Sequence, residues 1–230
     1  MVVHGVELSI GSAHGWNQAY IDMLDTFHAE WPFLWHSEHL GFQIIPGSDG
    51  TVLEVGVPLP VPPTREAVEI IGNRASVVCQ RYGKPFLLEN PAYYIKDLPA
   101  DDEIGDDIGL VKAIMDRSGC YLLLDLHNIY CNSVNHGIDP YATIDRAPLD
   151  RVIEIHVAGG ASRDGFRMDG HNSRVPEPVW DLLDYTLRRA PAVGGVLFEM
   201  LDDFAVKLGV KAIGEELERA REIWRRARVN

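Results

Sequence analysis

Cysteine is scarce in this chain: Cys79, Cys120 and Cys131 are the only three in 230 residues. An odd number with no C-x-x-C spacing excludes a disulfide framework and a thiolate metal site. Cys131, close behind an apolar run, reads as a buried structural thiol. No apolar run approaches the ~18 residues that a membrane span needs, and Met1 leads into apolar residues without the basic segment of a signal peptide. Basic blocks are also rare, with 21 Lys and Arg against 34 Asp and Glu and a formal charge of −13. That balance speaks against a nucleic-acid or anionic-membrane surface. The arginines that do cluster (Arg219, Arg221, Arg225, Arg226 and Arg228) lie in a Glu-rich stretch that pairs them internally. No Ser/Gly-rich linker or shift in composition divides the chain. Residues 1–230, 46% hydrophobic, therefore read as a single domain of a soluble cytoplasmic enzyme.

What the chain does have is a repeated ending. Six apolar runs each close on a histidine or a carboxylate: Val2-Val3-His4, Phe33-Leu34-Trp35-His36-Ser37-Glu38-His39, Phe86-Leu87-Leu88-Glu89-Asn90, Leu122-Leu123-Leu124-Asp125-Leu126-His127-Asn128, Val152-Ile153-Glu154-Ile155-His156 and Val196-Leu197-Phe198-Glu199. Short continuous apolar runs are the strands of a parallel sheet covered on both faces by helices. Helical stretches separate them. Asn17 to Glu30 sets Tyr20, Met23, Leu24 and Phe27 at helical steps, and Thr64 caps a helix that ends at Gly83. Further helices follow over 106–117, after Pro140, over 176–189 and over 206–228. The reading is an α/β fold of six parallel strand–helix units, a TIM-barrel-like (β/α) arrangement two units short of the closed eightfold barrel. Alternating runs around Pro46-Gly47-Ser48-Asp49-Gly50 predict a β-hairpin inserted after the second strand.

Ligands bind at the carboxyl ends of strands in such sheets. The endings are His, Asp or Glu and never Lys, Arg, Ser or Thr, so they read as one convergent metal site. The candidates are His4, His39, Glu89, Asp125, His156 and Glu199, with Asp169 and His171 brought in by a loop beyond the fifth strand, after the flexible turn Gly159-Gly160. Taken singly, His4 or His156 is more often a hydrogen-bonded structural histidine, Glu89 or Glu199 a salt-bridge partner, and Asp125 a helix cap. Together they change the balance, because several converging carboxylates repel one another unless protonated or metal-bound. Imidazole and carboxylate without thiolate suit iron, manganese or zinc, and eight donors exceed the needs of one ion, so two or three ions are expected. His14, His28 and His136 read as non-ligands. Strand alternation puts His39 opposite Glu38 and on the face of Ser37, so His36, Glu38 and His39 cannot all line the site. For His127 and Asn128 the inward-facing member is left open.

With these residues in view, the chain resembles the multinuclear non-haem iron-dependent oxidative enzymes, related to the xylose-isomerase-like barrels. The resemblance rests on His4-Gly-Val-Glu-Leu-Ser-Ile-Gly-Ser12, Ser37-Glu38-His39-Leu40, Leu88-Glu89-Asn90-Pro91, Leu124-Asp125-Leu-His127-Asn128 with Asn135-His136-Gly137, Glu154-Ile155-His156-Val-Ala-Gly159, Asp169-Gly-His171, Val179-Trp180-Asp-Leu-Leu183 and Phe198-Glu199, in family order. It implies two or three iron ions in mixed Fe(II)/Fe(III) states and dioxygen as co-substrate. The substrate would be a ribosomally made precursor peptide, oxidised at cysteine and commonly presented by a separate partner protein. His4, His39, Glu89, Asp125, His156, Asp169, His171 and Glu199 would be ligands, with Asn128 a further one. His39, Glu89 and Asp125 would carry the catalytic work.

Two departures accompany the resemblance. The usual Asp-x-Asn-Asn and Glu-Arg motifs stand here as Asp125-Leu126-His127-Asn128 and Glu199-Met200. Family members also begin with two further strand units, whose absence would leave strand edges that invite a homodimer or aggregation. Two competing readings are a zinc- or manganese-dependent isomerase or phosphodiesterase on the same barrel, and a truncated metal-binding protein without catalysis.

Overall fold

The computed structural model describes residues 1–47, 51–95 and 97–228. By its internal contacts the chain forms two compact units, Met1–Leu122 and Leu123–Asn230. All six apolar runs supply strands, and each strand leads on to a helix, giving the six strand–helix units.

In the first unit the order is β1 (Val3–Gly5), α1 (Gln18–Glu30), β2 (His36–His39), β3 (Gly41–Pro46), β4 (Val52–Pro60), α2 (Arg65–Tyr82), β5 (Phe86–Glu89) and α3 (Asp107–Ser118). β2 lies parallel between β1 and β5. The register sets His4 beside Ser37 and His39 beside Glu89. β3 and β4 pair antiparallel as the inserted hairpin, with an irregularity between Phe42 and Ile44. The expected tip, Ser48-Asp49-Gly50, lies outside the described residues.

Local chemistry fixes the helix ends. Asn17 caps α1, Thr64 caps α2 and Asp106 caps α3, each accepting a backbone N–H from the first turn. Gly83 and Gly119 close α2 and α3 in the left-handed conformation. The α1 stripe is rotated from the expected one. Tyr20, Ile21 and Leu24 are its buried residues, whereas Met23 is 54% exposed, because Ile21, two residues earlier, takes the inward position. The core is built from Leu8, Ile10, Leu24, Ile71, Leu87 and Ile114.

The strand β6 (Tyr121–Asp125) contains the boundary between the units. The second unit continues with α4 (Leu126–His136), α5 (Pro140–Arg146), β7 (Val152–Val157), β8 (Ser162–Arg163), β9 (Phe166–Arg167), α6 (Glu177–Leu187), β10 (Gly195–Phe198), α7 (Asp202–Leu208) and α8 (Val210–Arg228). β7 and β10 are parallel, with His156 opposite Leu197. One helix is added to those expected, and one expectation is corrected. The stretch after Asp125 is a full helix, α4, capped by Asp125 and closed by Gly137. The last helix is two, because Gly209 at φ 81° breaks the run between α7 and α8. The core here gathers Leu124, Ile144, Ile155, Val179, Trp180 and Leu183. Arg221 and Arg225 pair with Glu218 within α8, as expected, whereas Arg219 and Arg226 reach instead to Glu177 and Asp184 of α6. Among the described residues no helix is long and apolar enough to cross a membrane.

Ile71 is fully buried in α2. Ile71→Ala should cost about 2–5 kcal/mol in urea unfolding, and Thr64→Ala about 1 kcal/mol. A loss below ~1 kcal/mol for Ile71→Ala would mean that this face does not carry the unit's stability.

Candidate metal centre

In the first unit three donors meet at the carboxyl ends of β1, β2 and β5. His4 Nε2 lies 3.3 Å from Glu89 Oε2, and His39 Nε2 lies 3.5 Å from the same oxygen. The two imidazole centroids are 4.9 Å apart. On their other nitrogens, His4 Nδ1 is 2.9 Å from Ser37 Oγ and His39 Nδ1 is 3.2 Å from the Gly5 carbonyl oxygen. Glu89 is buried while both histidines keep partial exposure, so the group is open on one side.

Alternation along β2 holds as expected. Ser37 and His39 serve this group, whereas His36 and Glu38 turn the other way and pair with each other at 2.9 Å. Tyr20 donates its hydroxyl to Glu38; burial first, then that carboxylate, pushes the phenol well above its ordinary range and keeps it protonated. Gly5 is glycine for a steric reason, since a Cβ there would fall within 2.0 Å of the Tyr20 hydroxyl and a Glu38 oxygen.

In the second unit Asp125, His156 and Glu199 each place a donor atom within 4.8 Å of the others. Asp125 Oδ1 also accepts the Asn128 backbone N–H at 2.6 Å, so the helix-cap role weighed for it is real. Asn128 itself is buried in the first turn of α4. Glu199 follows β10 and spreads its carboxylate between two imidazoles: His156 Nδ1 is 3.0 Å from Oε2, and His171 Nδ1 is 3.7 Å from Oε1.

Asp169 and His171 come from a loop, as the sequence suggests. Asp169 Oδ1 lies 2.8 Å from both His171 Nε2 and His127 Nδ1. Burial opposes ionisation of Asp169, yet the hydrogen bonds from His127 and His171 overcome it and hold the carboxyl below its ordinary range. Burial likewise opposes charge on His171, but the hydrogen bond and charge of Asp169, with Glu199 and Asp125 nearby, push it up to about 9. His171 adopts φ 46°, and the bond from Leu201 N–H to its carbonyl holds it there. The preceding glycines are not the flexible hinge expected. A Cβ on Gly159 or Gly160 would come within 2.2 Å of a backbone carbonyl, so they are glycines because two strands of loop lie tightly against them.

His127 is fully buried and faces inward, donating to Asp169. Cys131 Sγ lies 3.7 Å from its Nε2, and burial pushes that thiol far up, consistent with a structural role. No disulfide joins the three cysteines. His14 stands in a loop, His28 within α1, and His136 at the end of α4. One residue escaped the sequence reading: Glu154 is buried, with Oε1 3.6 Å from His156 Nε2. The i, i+2 spacing on β7 carried that signal.

Nitrogen and oxygen donors without thiolate, gathered around buried carboxylates, are the donor types that suit a hard to borderline transition-metal ion. The solved structures similar to this chain agree on its scaffold. One is the IolI protein with a binding zinc atom (TM-score 0.58, 11% identity, 100% of this chain and 78% of that one). Another is D-psicose 3-epimerase from Clostridium cellulolyticum H10 (TM-score 0.54, 13% identity, 98% and 77%). These likenesses give the fold alone, a TIM-barrel-like α/β arrangement. Among curated relatives, UPF0276 proteins of Caulobacter vibrioides (34% identity, 91% of this chain and 74% of the relative) and an Anaeromyxobacter species (32%, 97% and 75%) are similar along nearly its whole length. Residues 1–225 match the family model for the RiPP precursor modification enzyme MbnB/TglH/ChrH, and the chain belongs to that family.

The ion pair of Asp169 with His171 gives the metal-free protein a defined pH response. A histidine raised from 6.5 to about 9 stabilises the fold fully below the lower value and loses that contribution as pH rises through the higher one. Asp169, being lowered, contributes above the ordinary carboxylate range and loses its share only in strong acid. Urea midpoints of chelator-treated protein should therefore fall between pH 6.5 and 9, and Asp169→Asn should flatten that fall. Equal slopes for the two proteins would refute the pairing.

Proposed function

We propose that this chain is an iron-dependent enzyme that uses dioxygen to modify cysteine in a ribosomally synthesised precursor peptide. One observation carries the reading. In a chain of a RiPP-modifying family, each unit gathers its own set of imidazole and carboxylate donors at strand ends, and neither set contains a thiolate. His4, His39 and Glu89 would hold an ion in the first unit. Asp125, His156 and Glu199, with Asp169, His171 and Asn128 beside them, would hold one or two in the second. When bound, iron supplies the one-electron chemistry that couples reduction of dioxygen to oxidation of the peptide.

The chain's own residues do the rest. Glu89 receives two imidazoles on one oxygen and fixes their separation. Asp125 joins β6 to α4 through its cap, so its carboxylate is aimed by the helix start. Glu199 ties β10 to the His171 loop, and Asp169 orients His171. The partial exposure of His4 and His39 leaves an approach for a peptide side chain. The proposal extends to a single-domain cytoplasmic enzyme, a peptide-presenting partner protein and a homodimer, with no role for nucleic acid or membrane. Zinc or manganese fits the same donor types, so the metal decides between oxidation and isomerase or phosphodiesterase chemistry.

Protein purified without oxygen should contain iron, and exposure to dioxygen with a cysteine-containing precursor should change the peptide's mass. Glu89→Ala and Asp125→Ala should each lose metal with little change in circular dichroism. Zinc or manganese alone, with no oxidised peptide, would overturn the iron reading. Unchanged metal content in both variants would reassign those residues as structural.

A further inference from the structure

The hydrogen bonds behind the first-unit donors are directional in a way that assigns a role to Ser37. Its hydroxyl oxygen lies 3.3 Å from the Val3 carbonyl oxygen, and a carbonyl can only accept, so the Ser37 proton is given to Val3. What remains on Ser37 Oγ is lone pairs. His4 Nδ1, 2.9 Å from that oxygen, must then be the donor. The neutral imidazole consequently carries its proton on Nδ1 and presents a lone pair on Nε2, the nitrogen 3.3 Å from Glu89 Oε2. The Gly5 carbonyl imposes the same state on His39 through its Nδ1 at 3.2 Å. Two imidazole lone pairs and a carboxylate oxygen then face one another, an arrangement relieved by a cation among them.

We infer that Ser37 is a positioning residue that fixes His4 as the Nδ1–H tautomer and so keeps its Nε2 ready to bind a metal ion. Ser37 is fully buried and belongs to the strand beside β1, so the register of β1 on β2 delivers it to His4. Without the hydroxyl, the favourable alternative is the Nε2–H tautomer donating to Glu89, which occupies the very atom a metal needs. The role rests on the metal-binding reading above, but the tautomer is measurable without metal.

Long-range nitrogen-15 NMR of chelator-treated protein, followed with rising pH until the His4 ring nitrogens no longer titrate, reads the tautomer directly. Wild type should show His4 as Nδ1–H. Ser37→Ala should move it toward Nε2–H and weaken anaerobic iron(II) binding about 10-fold or more. An Nε2–H tautomer in wild type overturns the inference, even if the variant fails to fold. So does a folded Ser37→Ala protein with unchanged tautomer or unchanged iron(II) affinity. If wild type shows the Nδ1–H form yet binds no iron(II), the metal reading fails while the hold of Ser37 on His4 stands.

Discussion

The constraint on which the rest depends is that carboxylates buried at strand ends must be matched by positive or proton-donating partners. An unmatched buried carboxylate would give up its charge or unfold the region around it. Glu199 meets one imidazole on each oxygen and Asp169 meets two on one, whereas Glu89, nearly inaccessible, has two imidazole nitrogens facing one of its oxygens. All of these contacts except Asp169 with His171, which lie in one loop, join residues from different elements. These contacts hold strand ends and loops in place. They also leave the donors together, ready for cations that would match them better than protons.

The strand β2 shows how four residues serve two purposes. On one face, Ser37 and His39 reach His4, Gly5 and Glu89. On the other, His36 and Glu38 form a buried pair among Phe33, Tyr82 and Phe86, with Tyr20 donating from α1. Because that second network occupies the space a Gly5 side chain would need, it sets where the β1 backbone runs. The Gly5 carbonyl then meets His39. Packing on the dry face is therefore coupled to donor geometry on the other through one glycine.

The strands and most helices were legible because apolar runs, caps and left-handed glycines are local signals, as Thr64, Gly83 and Gly119 illustrate. The α4 helix was not, since its first residues double as the Asp125 motif and mask the helical period. The donors were legible as strand endings. Glu154 hid inside the run that ends at His156, although alternation alone puts both on one face. Ser37 was visible as a face-mate of His39, but the direction of its hydrogen bonds depends on Val3 and His4, 34 and 33 residues away in sequence. Such non-local geometry leaves no pattern in a single chain. Gly159 and Gly160 were misread for a related reason, because glycine signals equally a flexible turn and a place where backbones touch.

His127 brings these strands of argument together. It stands where the resemblance leads one to expect asparagine, and it meets Asp169 as an N–H donor at 2.8 Å from within a helix. Asparagine also carries N–H donors, so the substitution preserves the kind of group offered there. What it changes is the shape and reach of that group: the ring fills a buried space between Asp169 and Cys131 and meets both. The contact ties the loop carboxylate to the start of α4, whose own cap is Asp125. In the second unit, the loop that carries Asp169 and His171 is thus held by a rigid, buried ring from the helix that Asp125 begins.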